Sequence, residues 1–167
     1  MKITKEIFSL LFCTAYLLFG CSKAYSDPPT NSDTGFVKGA DPGKQNKPAA
    51  WVGHDFTQLL TDVYDYTADV MTSLKANGIT PEWVQIGNEI PGGMIYPEGS
   101  NSNFGQLVQL INKGYDATKD VSPSSKVILH VDQGNNNGRF RWWFDNAKAN
   151  GAKYDVIGLS YFSDMFF

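Results

Sequence analysis

Apolar positions recur at helical spacing along three stretches of this chain and close up into short runs along three others. From Phe56 onward, Leu59, Leu60, Val63, Tyr64, Thr67, Val70, Met71 and Leu74 fall at i, i+3, i+4 and i+7 until Asn77-Gly78, which predicts an amphipathic helix with a glycine stop. Phe104, Leu107, Val108, Ile111 and Tyr115 repeat that spacing up to Ser122-Pro123, where the proline ends it. Phe140, Trp143, Phe144 and Ala147 form a shorter stripe stopped by Asn150-Gly151. The runs Trp83 to Ile86, Lys126 to Val131 and Tyr154 to Tyr161 have the β-branched and aromatic content of buried parallel strands. Helix and strand alternate strictly, the signature of βα units on a parallel sheet, so the fold class is α/β. Phe36 to Gly39 reads as a further short strand, and Gly134-Asn135-Asn136-Asn137-Gly138 as a loop.

The first residues follow a different rule. Lys2 and Lys5 precede an apolar stretch from Ile7 to Phe19, too short to span a bilayer, that runs into Gly20-Cys21. Leu18-Phe19-Gly20-Cys21 resembles the lipobox of bacterial lipoproteins, with Phe19 looser than the usual small residue. The expectation is a signal peptide at residues 1–20, a lipid on Cys21, a flexible tether at 21–34 rich in Ser, Asp, Pro, Asn and Thr, and one domain at 35–167. Such a protein is exported and anchored to a membrane of the cell envelope, facing the periplasm or the cell surface. Cys13 lies inside the signal, so the mature chain would hold no disulfide.

Composition narrows the classes of ligand. With 42% hydrophobic and 19% charged residues, the 167-residue chain supports a packed core, yet it falls short of the about 250 residues of a complete eight-stranded barrel. Its formal charge is −3, and removing residues 1–20 takes away Lys2, Lys5 and Glu6, leaving −4. That balance argues against nucleic acid, while 14% aromatics without clustered Lys or Arg suit a neutral ligand such as a sugar. No Gly-x-Ser-x-Gly elbow, phosphate-binding glycine loop or dinucleotide fingerprint is present, and no cofactor is implied.

The stretch from Pro81 to Glu98 carries the sharpest chemistry. An apolar strand ends in Gly87-Asn88-Glu89 and a glycine-rich loop, and in α/β barrels that end of a strand carries the catalytic groups. Glu89 fits a general acid if burial or a second carboxylate raises its affinity for a proton, and Trp83, Ile86, Ile90 and Met94 are candidates for apolar surroundings. His130 and Asp132, two apart on a strand, share one face. With two histidines in the whole chain and no further ligand at metal spacing, they argue against zinc. Two readings stand for them: hydrogen bonds to a polar ligand or to Glu89, or a strand-end histidine satisfied by backbone. Tyr161 and Trp51 either stack on sugar rings or pack.

Taken together these residues resemble glycoside hydrolase family 53, the arabinogalactan endo-1,4-β-galactanases, which are (β/α)8 barrels of the large retaining clan. Phe36 to Asp41 resembles the family's first strand, and Asp41-Pro42-Gly43-Lys44-Gln45 with Lys47-Pro48 and Trp51 its loop after strand three. Val84 to Glu98 resembles strand four and its loop, Lys126 to Gly134 strand five, and Tyr154 to Tyr161 strand six. The resemblance implies a partial TIM barrel, roughly strands four to six with flanking helices, in an internally deleted and truncated copy. It implies Glu89 as proton donor and acid/base of galactan hydrolysis, Asn88 on the sugar 2-hydroxyl, and His130, Asp132 and Tyr161 in the substrate cleft, with Trp51 beside it. The family's nucleophile, a glutamate on strand seven, has no counterpart here, and Phe162-Ser163 replaces the expected aromatic-proline. The expected function is endo-hydrolysis of β-1,4-galactan by double displacement, with this copy inactive. A non-catalytic sugar-binding or remnant protein and another retaining glycosidase of the clan are the competing readings.

Overall fold

The computed structural model describes residues 45–132 and 134–161. The expected signal segment, Cys21, the expected tether, the candidate strand at Phe36 and the last six residues lie outside the described residues. Three helices and three strands alternate: α1 (Phe56–Ala76), β1 (Trp83–Ile86), α2 (Phe104–Val121), β2 (Lys126–Val131), α3 (Asn137–Ala149) and β3 (Val156–Leu159). Short 3-10 turns at Ala49–Trp51 and Asn101–Asn103 precede α1 and α2.

Each helix starts on a side-chain cap. Asp55 and Gln58 form a reciprocal capping box at α1, with both bonds at 2.9 Å. Asn103 caps α2 by accepting from the Gln106 amide. Asn136 does the same for Arg139 at 3.0 Å, so α3 begins at Asn137. The glycine-asparagine run expected as loop therefore splits, and its last two residues enter the helix because Asn136 supplies the missing acceptor.

The strands pair in parallel in the order β1-β2-β3. Register sets Ile86, Leu129 and Ile157 in one row and Gln85, Ile128 and Val156 in the next. Val84, Ile86, Val127, Leu129 and Val131 are buried against Leu107, Leu110, Ile111, Trp143 and Phe144 of the helices. At the rate for full burial of an aliphatic side chain, each such strand residue contributes about 1.5 to 3 kcal/mol. Gly114 lets α2 close over β1, since a Cβ there would lie 2.9 Å from Ile86 Cδ1. On β3 the same face is open: Ile157 and Leu159 are 41% and 45% exposed.

The amino ends of the strands are tied separately. Ser125, fully buried, donates to the Pro81 carbonyl at 2.6 Å. Asp155 accepts from the Val127 amide at 2.8 Å and pairs with Lys119 at 2.7 Å. Burial alone would raise the Asp155 carboxyl, but the Lys119 ammonium and the amide hold it below its usual range. These ties leave the carboxyl ends of the strands to build the site.

Candidate active site

β1 ends at Ile86, and the chain then turns through Gly87 at φ 72° and Glu89 at φ 47°. A side chain at 87 would collide with Ile90 Cγ2 at 2.7 Å, so glycine is required there on two counts. The ladder continues past the strand, because the Ile90 amide donates to the His130 carbonyl at 3.1 Å. That bond brings Asn88 and Glu89 beside the end of β2.

The Glu89 amide donates to His130 Nδ1 at 3.2 Å, and Glu89 Oε1 accepts from the Ser160 hydroxyl at 2.6 Å. Ser160 Oγ also lies 3.1 Å from His130 Nε2. Asn88 is oriented by Gln85, whose Nε2 donates to Asn88 Oδ1 at 3.1 Å and to the Gly87 carbonyl at 2.9 Å. The Asn88 amide nitrogen is left without a partner among the described residues, available to an incoming acceptor. Asp132 Oδ1 is likewise buried without a described partner.

The structure thus joins Asn88, Glu89 and His130 and sets Asp132 next to them by sequence. Tyr161 follows Ser160 and is 68% exposed. Trp51 packs edge-on against Tyr66 of α1, ring centroids 6.2 Å apart. The apolar surroundings expected for Glu89 are placed otherwise: Ile86, Ile90 and Met94 belong to the core, and Trp83 stands at the far end of β1. The groups hydrogen-bonded to Glu89 are polar.

Sequence reasoning missed Ser160 and two glutamines. Strand alternation held the signal for Ser160: Val156, Gly158 and Ser160 share parity, and Gly158 is paired with His130. Gln45 is buried and donates to the Asn88 carbonyl at 2.9 Å, while its own carbonyl accepts from the Tyr96 amide. Lys47 pairs with Glu98 at 2.6 Å. Burial alone would raise the Glu98 carboxyl, yet Lys47 and a backbone donor hold it below its usual 4.5. The segment from Gln45 to Lys47 thereby clamps the loop that carries Asn88. Gln45 and Ile95, like Glu89, adopt positive φ, at 42° and 55°. Among the described residues, no three His, Cys, Asp or Glu side chains gather as metal ligands.

Burial lowers the proton affinity of His130 below its usual 6.5, and the nearby charges of Glu89 and Asp132 offset this only in part. The unfolded chain therefore binds this proton more readily than the folded one. Stability from neutral His130 is complete above pH 6.5 and is lost as pH falls through the lower folded value. The His130 ring should titrate with an NMR midpoint below 6.5, and urea resistance should decline as the pH drops from there. A midpoint above 6.5 contradicts the burial argument.

Parallel βα units with an Asn-Glu pair at the carboxyl end of a strand place this chain in the class of α/β barrels, with a candidate site at the strand ends. The profile of Glycosyl hydrolase family 53 matches residues 36–166. The chain belongs to that family. It is 37% identical over 131 residues to a Niallia circulans protein described as "Uncharacterized protein in bgaB 5'region", covering 74% of this chain and 36% of that one. It is 34% identical to the arabinogalactan endo-beta-1,4-galactanase of Thermothelomyces thermophilus, covering 74% of this chain and 39% of that enzyme. The solved catalytic domain of an Ignisphaera aggregans family 53 protein superposes with a TM-score of 0.69 at 35% identity, over 72% of this chain and 33% of that domain. A fungal beta-1,4-galactanase structure gives 0.67 at 34% identity, over 72% and 38%. The chain spans a little over a third of these curated relatives, and its described residues form a partial (β/α)8 barrel.

Proposed function

We propose that Glu89 is the acid/base of β-1,4-galactan hydrolysis and that galactan or arabinogalactan is the polysaccharide recognised at this site. The observation that carries the reading is the placement of Glu89 at the carboxyl end of β1, with Oε1 held by Ser160 and Oε2 without a partner among the described residues. A general acid needs one oxygen fixed for orientation and one open toward the leaving group. Asn88, with its amide nitrogen unengaged, serves the sugar 2-hydroxyl, and His130, Asp132, Tyr161 and Trp51 border the cleft. Family membership supports a retaining double displacement with Glu89 as its acid/base. The alternative of sugar binding without turnover draws support from the unpartnered Asp132 Oδ1, an acceptor suited to a hydroxyl. The segment ending in Leu18-Phe19-Gly20-Cys21 supports an exported lipoprotein anchored through Cys21.

The test is a titration with β-1,4-galactotetraose followed by amide NMR. Shifts should concentrate at Asn88, Glu89, His130 and Asp132, and Asn88→Ala should weaken binding by about 5- to 10-fold, the worth of one net hydrogen bond. Equal response to cello-tetraose removes the galactan assignment, and no response to either removes the site.

A further inference from the structure

With Glu89 ionised, the bonds around it admit only one arrangement of protons. A backbone N–H can only donate, so His130 Nδ1, which faces the Glu89 amide at 3.2 Å, must carry a lone pair. A neutral ring then has its proton on Nε2, 3.1 Å from Ser160 Oγ, which accepts it. The single Ser160 proton is left to point at Glu89 Oε1, 2.6 Å away. The result is a closed ring: amide to imidazole, imidazole to hydroxyl, hydroxyl to carboxyl, with both ends on the same residue. As long as Ser160 donates to Oε1 in this ring, a proton taken up by Glu89 goes to Oε2.

We propose that Ser160 is a positioning residue for the acid, which ties Oε1 of Glu89 through the His130 ring and reserves Oε2 for the proton to be donated. This rests on the reading of Glu89 as the acid. The serine is itself fixed by backbone, its amide donating to the Val131 carbonyl at 3.0 Å and its carbonyl accepting from Gly134 at 2.9 Å. Neither bond involves the hydroxyl, so the side chain is separable from the fold. The charged groups that bear on His130 are Glu89 and Asp132. Protonation of the ring would set Nδ1–H against the Glu89 amide, donor against donor, and open the cycle.

The chain has two histidines, which makes the test direct. In protein labelled with nitrogen-15 in histidine, His130 should show the Nε2–H tautomer at neutral pH, with His54→Gln assigning the signals. Ser160→Ala should speed exchange of the Nε2 proton with water by at least about tenfold, as expected when one hydrogen bond worth about 1.4 kcal/mol is lost. It should also merge the two γ-methylene shifts of Glu89 as its rotamer is released. Ser160→Thr, which keeps the hydroxyl, should restore both signals. An Nδ1–H tautomer in the unaltered chain overturns the proposal whether or not any variant folds, and so does a folded Ser160→Ala with unchanged signals. Loss of galactotetraose binding with the Nε2–H ring intact counts against the galactan reading alone. Binding with an Nδ1–H ring counts against the role of Ser160 alone.

Discussion

Incubated with β-1,4-galactan, the 167-residue polypeptide is expected to release no galacto-oligosaccharides above the substrate blank. Retaining hydrolysis needs two carboxyl groups about 5 to 5.5 Å apart, one to protonate the leaving oxygen and one to attack the anomeric carbon. In the proposed reading Glu89 fills the first role. Asp164 lies outside the described residues; among those residues the second role has one local candidate, Asp132, whose charge also bears on His130. Nothing in the hydrogen bonding orients it toward Glu89, and its Oδ1 is buried. Without a nucleophile the oxocarbenium-like transition state loses its main electrostatic support, so the loss covers essentially the whole acceleration, at least about a millionfold for an ordinary enzyme. Robust release abolished by both Glu89→Gln and Asp132→Asn would overturn this expectation and make Asp132 the nucleophile. The sugar-binding prediction stands apart from this one, since recognition needs only the hydroxyl partners and not the displacement.

Trp143→Ala should be the most damaging single change to the fold. The indole is 1% exposed on α3, with its ring 5.8 Å from that of Phe104 and 4.9 Å from that of Phe144. Truncating a buried tryptophan costs about 3 to 5 kcal/mol, against a total of about 5 to 15 kcal/mol for an ordinary domain. Here the margin is narrower, because among the described residues the sheet has three strands and one of them exposes its apolar face. Urea unfolding monitored by circular dichroism should show little or no cooperative transition. Trp143→Phe is the informative control: it keeps the aromatic contacts and removes an Nε1–H that has no described partner. Its cost should stay under about 1.5 kcal/mol, and an alanine variant that unfolds at the same urea concentration as the parent refutes the argument.

The helices and strands were readable from periodicity because each buries one face, and burial writes period 3.6 or a short apolar run into the chain. The start of α3 was not, since asparagine at 136 can sit in a loop or cap a helix, and only the position of the Arg139 amide decides. The carboxyl end of β1 was readable as chemistry from Gly87-Asn88-Glu89. What surrounds Glu89 was not, because apolar neighbours in sequence such as Ile86 and Ile90 point to the core, while His130 and Ser160 arrive from strands 41 and 71 residues away. The Ser160 position follows from the register between β2 and β3, a quantity that no single segment contains.

The backbone of Glu89 has a consequence for how such a chain changes over generations. At φ 47° a residue with a Cβ sits in the left-handed region, at a cost of roughly 1 to 2 kcal/mol that glycine escapes and asparagine reduces. Drift under folding pressure alone therefore has a direction at this position, away from glutamate. Copies released from any demand on the site should lose the carboxylate at 89 sooner than they lose Leu129 or Trp143. The residue found there in a set of sibling genes becomes a gauge of use, separate from whether those genes still encode a folded protein.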